Sequence, residues 1–220
     1  MPSWNMHTAH VERLLAEEDP ARLGVRDPNC FLFGNYVPDV YVGYMVPEPS
    51  HVIDYRVTHE AESDPIPVPR HRAFWDRFLA RGHASDVTLG AWCHLVCDAT
   101  YNQATRDLLA ARGLGVTRET RVMKQGDFAT FGRTLPISRR VEATDELLRQ
   151  CAEFPHYPIL AADVRAACAV ARGIVEDNER RHIDGVPEYR LLDEAWFLDT
   201  FERVNALLLE GLRAYASAAR

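Results

Sequence analysis

The chain of 220 residues lacks any apolar run close to the roughly 18 residues that a membrane-spanning helix needs, so no spanning segment is expected. It lacks a basic stripe: the formal net charge is −7, with a sequence pI near 5.7. Without that electrostatic footprint, a nucleic-acid partner held by phosphate contacts is not expected. The start, MPSWNMHTAHVERLL, has no basic segment leading into an apolar one, which argues against a secretory signal and for a cytoplasmic setting. The five cysteines (Cys30, Cys93, Cys97, Cys151 and Cys168) are odd in number and show no CxxC spacing. Free thiols in a reducing compartment are the simplest reading. No GxSxG elbow, phosphate-binding P-loop or dinucleotide-binding GxGxxG is present, and GLG at 113–115 reads as a helix stop. Sustained β-alternation, internal repeats and low-complexity tracts are absent as well.

What remains is helical periodicity. Helices are predicted over about 6–18, 71–82, 86–111, 141–152, 162–178 and 188–218, the last with Leu191, Trp196, Phe201, Val204, Leu208 and Leu212 on its apolar face. The second is closed by Gly82 and the third by Gly113. CFLFGNYVPDVYVGYMVPEPS is predicted to begin as a short helical turn and continue as irregular chain, because its prolines interrupt a helix. AESDPIPVP at 61–69 is expected as a surface loop, and RVMKQGDFATFGRTLPI as loop with a short helix. The chain reads as one all-α domain over 1–220, with ionisable motifs in 1–110 and a helical part in 111–220.

Within GAWCHLVCDATYN, His94 and Asp98 stand four positions apart in a segment that is apolar nearly all round. That spacing puts both on one helical face, where they can share a cation or simply bond to each other. Asp39, in GNYVPDVYVGY, has apolar neighbours on both sides, and by itself an Asx-type turn or helix cap after Pro38 is the stronger explanation of it. His59 borders the proline-rich loop, with His51 as a competitor. His7 and His10, at i and i+3, can share a face of the first helix. Cys93 and Cys97 flank the His94/Asp98 pair and read as core packing rather than ligands. Two aspartates and two or three histidines without thiolates suit Zn, Mn or Fe better than Ca or Mg.

The order of these motifs resembles the zinc-dependent phospholipase C family in its compact intracellular-type branch, distantly similar to secreted phospholipases C and single-strand nucleases. The similarity is carried by MPSWNMH, FLFGNYVPDV, VTHEAESDPIPVP with FWDRFL, and LGAWCHLVCDATYN, over about residues 1–110. It implies a helical bundle of the phospholipase C and nuclease type. It also implies a metal centre of Asp39, His59, His94 and Asp98, with Asp98 bridging to a second cation on His7. Asp98 and Asp39 would then serve catalysis through a metal-bound hydroxide. Asp54 and His10 would be supporting or substrate-side groups.

The sequence departs from the larger secreted members in two places. Trp4 is preceded by Met1, Pro2 and Ser3, whereas those enzymes use the amino-terminal residue itself as a ligand. No histidine follows Asp98 in ATYNQATRD, and neither His156 nor His182 has an acid at the fourth position after it. One or two zinc ions, rather than three, are therefore expected, with Mn or Fe as substitutes. Glu60 stands where an apolar or aromatic residue would be expected. The function implied is a metal-dependent hydrolase of a small phosphate ester, a phosphodiesterase or phospholipase C-like enzyme. The alternative is a noncatalytic, metal-stabilised helical domain that binds a small ligand or protein partner.

Overall fold

The computed structural model describes residues 2–62 and 64–218. Met1 of MPSWNMH, Ser63 of the proline-rich loop and the last two residues of the expected domain lie outside them. The described chain forms ten α-helices: α1 (Trp4–Glu17), α2 (Pro28–Gly34), α3 (Val37–Val40), α4 (Tyr55–Thr58), α5 (His71–Phe78), α6 (Asp86–Ala111), α7 (Arg118–Thr134), α8 (Asp145–Ala152), α9 (Ala161–Arg180) and α10 (Glu194–Ala218). No strand occurs among these residues, only an isolated antiparallel bridge between Ala61 and Pro69 that closes the proline-rich loop. The all-α reading holds.

α6 is the axis of the molecule. Every residue from 86 to 102 is buried, and α2, α3, α5, α8 and α10 all pack against this one helix. Its start is set locally: the Ser85 hydroxyl accepts from the Thr88 N–H at 3.2 Å, a side-chain cap for an otherwise unpaired donor. Asp86 then accepts from the backbone N–H groups of Arg26 and Asp27 at 2.9 and 3.1 Å. This ties the beginning of α6 to the beginning of α2, whose own cap is Asp27, accepting from Asn29 and Cys30.

From that anchor α2 crosses α6 at backbone contact. A Cβ added to Gly90 would lie 2.2 Å from the Phe31 carbonyl oxygen, and one added to Gly34 would lie 2.3 Å from the Val87 carbonyl oxygen. Only glycine fits at either position, because the obstruction is main chain and cannot rotate away. Asn35 follows directly, so its carbonyl is delivered to the middle of α6. α3 comes next, with Asp39 on it.

Two expectations about the second half are corrected, and Asp127 bears on both. RVMKQGDFATFGRTLPI is not loop with a short helix, because α7 runs unbroken to Thr134. Its buried positions include Thr120, Lys124 and Asp127 beside Phe128 and Phe131, so the helical period is present but half of it is polar. Buried Asp127 accepts from the backbone N–H groups of Arg190, Leu191 and Leu192 at 2.8, 2.8 and 2.9 Å. Those donors are fixed outside a helix, so α10 begins at Glu194 rather than near 188. The surface loop at 61–69 is also only partly superficial: Ile66 is 3% exposed, and its carbonyl accepts from Arg106 Nε at 2.8 Å.

The crossing makes opposite predictions for two glycines. Gly90→Ala should lower stability by about 1–3 kcal/mol or more through overpacking against fixed backbone. Gly126, exposed within α7, has nothing within 4 Å of an added Cβ. Gly126→Ala should therefore raise stability by about 1 kcal/mol. Urea unfolding midpoints of the two variants check both signs.

Candidate metal centre

The i,i+4 spacing on α6 places the His94 and Asp98 side chains together, with Nε2 3.8 Å from Oδ2. The other elements bring three more groups to the same point. His7, from α1, lies flat on the His94 ring with centroids 4.0 Å apart and planes 5° apart, its Nε2 3.6 Å from Asp98 Oδ1. His59, closing α4, puts Nε2 3.6 Å from both Asp39 Oδ1 and Asp98 Oδ2. All five side chains are at most 2% exposed. Their ligand atoms form two sets within 4.8 Å, His7/His94/Asp98 and Asp39/His59/His94, which have His94 in common.

The hydrogen bonds of the outer ring nitrogens determine what the inner ones carry. His94 Nδ1 lies 2.8 Å from the Asn35 carbonyl. A carbonyl only accepts, so Nδ1 holds the proton and Nε2 of the neutral ring is a bare lone pair. The Thr58 hydroxyl donates to the Tyr55 carbonyl at 3.2 Å and lies 2.8 Å from His59 Nδ1. When that hydrogen goes to the carbonyl, the hydroxyl accepts from Nδ1–H, and in this tautomer His59 Nε2 is bare as well. These two Nε2 atoms are 3.0 Å apart. Two lone pairs at that distance repel unless a proton or a metal cation lies between them.

The rest of the site has the same character. Asp39 Oδ1, Asp98 Oδ1 and both ring nitrogens of His7 are buried without a hydrogen-bond partner among the described residues. Unpaired buried groups of this kind are costly, and two buried carboxylates are more so. Burial, followed by repulsion from His94, pushes His7 down to about 4 and holds His59 well below the usual imidazole range. Burial opposes the charge on Asp98, but attraction from His94, His7 and His59 outweighs it and keeps Asp98 ionised. Burial raises Asp39 to about 6. His7 and His59 held toward the neutral form beside an ionised Asp98 are in the protonation states that metal ligation requires. Three imidazole nitrogens and two carboxylates fit Zn, Mn or Fe.

A supporting layer fixes the ligands, and the sequence reading missed it. Trp4 Nε1 donates to Asp39 Oδ2 at 3.0 Å, and Tyr55 donates to Asp98 Oδ2 at 3.1 Å. The Tyr55 ring also lies over His59 at 3.7 Å. Tyr55 stands four residues before His59, the same spacing that singled out His94 and Asp98. That signal was available. Glu60, the local oddity, has φ 50° and closes α4 where glycine is usual. Its buried carboxylate meets Arg77 Nη1 at 3.0 Å.

Three candidates fall outside the centre. Asp54 caps α4. Its carboxylate accepts from Arg56 N, Nε and Nη2 at 2.8, 3.0 and 2.9 Å, and those bonds hold its pKa down at about 2. His51 is exposed, bonded to Ser50 and packed on Tyr41. His10 is buried but fully satisfied. Asn205 Nδ2 donates to the Phe201 carbonyl, so Asn205 Oδ1 accepts from His10 Nδ1–H at 3.0 Å. Nε2 then accepts from Tyr101 at 3.3 Å, and no lone pair is left for a cation. Cys93 and Cys97 are buried free thiols, pushed away from the thiolate form by burial.

His10 supplies a pH signature separate from the ligands. Burial lowers its pKa to about 3, whereas the unfolded chain protonates near 6.5. The unfolded state thus binds a proton that the fold refuses, so this contribution to stability is present above about pH 6.5 and is lost as pH falls toward 3. His10→Gln should flatten the pH dependence of the unfolding free energy in that window by up to about 1.4 kcal/mol per pH unit. Urea titrations across the window, in the presence of chelator, measure it, and an unchanged slope contradicts the assignment. In comparisons with known proteins, no protein-family model, no curated protein and no solved structure matches this chain.

Proposed function

We propose that this centre holds one or two divalent transition-metal ions, zinc first by ligand type and Mn or Fe as substitutes. We further propose that the protein is a hydrolase of small phosphate esters resembling the compact zinc-dependent phospholipases C. The observation that carries the metal is the convergence of the His59 and His94 Nε2 atoms, 3.0 Å apart, with two buried carboxylates. His7, His59, His94, Asp39 and Asp98 would hold the cation. Asp98 turns Oδ1 toward His7 and Oδ2 toward His59, so its two oxygens address both halves of the site.

When bound, such a cation supplies Lewis acidity for a phosphoryl oxygen and lowers the pKa of coordinated water toward neutrality. The chain's own part is positional. Asn35 and Thr58 set the tautomers of His94 and His59, Trp4 orients Asp39, and Tyr55 covers Asp98 with a phenol that can reorient toward an incoming ester oxygen. Tyr55 is carried by the four-residue α4, next to exposed Val52 and Val57. All five cysteines are unpaired, which supports a reducing, cytoplasmic setting. No described helix is long and apolar enough to cross a membrane.

The near-complete burial of all five ligands favours a second reading, in which the metal stabilises the fold without turnover. Gentle purification, metal analysis by mass spectrometry and assay on a chromogenic phosphodiester separate the two. The expected outcome is bound transition metal, with turnover that vanishes in Asp98→Asn along with the metal. That variant should lower the melting temperature by on the order of 10 °C, whereas Asp54→Asn should keep both metal and activity. Metal without turnover on a broad ester panel establishes the structural role. Protein that holds no metal after reloading refutes both.

A further inference from the structure

The face of α6 that carries His94 and Asp98 continues one turn further to Asn102, which is 1% exposed. Against it lies Lys124 of α7. The chain has 25 basic residues and this is its single lysine, yet it is 6% exposed. Its ammonium has three hydrogens to donate. Among the described residues it meets one acceptor, Asn102 Oδ1, at a long 3.4 Å, and it sits over the Phe128 ring at 5.6 Å. No carboxylate pairs with it among the described residues. Burial outweighs the attraction that Asp98 exerts on this ammonium from beyond ion-pair distance.

Lys124 lines a cleft of about 160 Å³, together with Arg121, Gln125, Asn102 and the proline-rich loop. At ~30 Å³ per water in the liquid, this is room for roughly five heavy atoms, the size of a phosphate group. No carboxylate lines it, and Arg121 has an exposed side chain and no ion pair among the described residues. The loop wall is held in place from α6: Asn102 Nδ2 donates to the Pro67 carbonyl at 2.8 Å, and Arg106 Nε donates to that of Ile66. Asn102 is thereby the hinge between the cleft and the metal-site face, with its Cβ about 5–6 Å from that of Asp98. In a chain of net charge −7, a carboxylate-free cleft with one buried and one exposed cation is selective for an anion.

We infer that Lys124 and Arg121 form an oxyanion site that takes a phosphate group one helical turn from Asp98. Binding of the anion stands on this cleft alone. That it anchors the substrate rests on the hydrolase reading, and it then narrows the substrate class to small phosphate esters with a second anionic group.

The probe is inorganic phosphate, titrated into the purified protein by calorimetry and thermal shift, with chloride at matched ionic strength as the control. Wild-type protein should bind and be stabilised by phosphate, and chloride should do neither. Losing one charge-assisted hydrogen bond should weaken phosphate binding roughly 10–100-fold in Lys124→Gln. Arg121→Gln, a surface change that leaves the fold intact, should weaken it by a smaller factor, and Arg180→Gln on α9 should leave it unchanged. Metal content is measured on the same samples, so loss of the metal reading and loss of this site are distinguished. Wild-type protein that ignores phosphate overturns the inference. So does affinity that survives both Lys124→Gln and Arg121→Gln, which would put the anion elsewhere, including on the metal.

Discussion

The arrangement depends on a contact between two main chains. α2 reaches α6 only because Gly34 and Gly90 present no Cβ where their carbonyl and Cα neighbours meet. The consequence is felt a residue later, where the Asn35 carbonyl takes the proton-bearing nitrogen of His94. The same turn then feeds α3, which carries Asp39 to within reach of His59. A steric requirement at two glycines therefore sets the tautomer of one candidate ligand and the position of another. Helix propensity plays little part in this, since glycine in a helix interior is unfavourable.

Around that contact, the interior is arranged to leave lone pairs inward. Four of the five candidate ligands have an outer hydrogen-bond partner among the described residues, His7 being the exception: Asn35 and Thr58 on two imidazoles, Trp4 and Tyr55 on the two carboxylates. Partners of this kind hold ligands in one orientation and raise their basicity. The surface is built differently. Its ion pairs, such as Arg149 with Glu146 and Glu153, join exposed side chains and contribute little to stability. The charge that matters is concentrated in a small buried volume along one face of α6, from His94 through Asp98 to Asn102 and Lys124.

Much of this was legible in the chain. The 86–111 helix, its Gly113 stop and the shared face of His94 and Asp98 follow from periodicity and capping alone, because those are local properties of the backbone. Asp39, His59 and His7 stood out as ionisable residues in apolar settings, and the structure brings all three to the same point. α7 was hidden because three of its buried positions are Thr120, Lys124 and Asp127, and a polar residue buried by a distant partner breaks the apolar pattern. Asp54 and His10 misled for the converse reason. Each is a chemically suitable side chain near the right motif, but Asp54 is engaged by Arg56 two residues away and His10 by Asn205 far along the sequence.

The sequence by itself determined the helical class, the absence of a spanning segment and the set of side chains able to bind a cation. Hydrophobic period, charge and residue chemistry are carried by each short stretch of chain. Only the tertiary structure decided which of those side chains meet, which keep a free lone pair and which are satisfied elsewhere. Those properties depend on hydrogen bonds between residues dozens of positions apart. Asn35 with His94, Trp4 with Asp39 and His10 with Asn205 are contacts that no local pattern encodes.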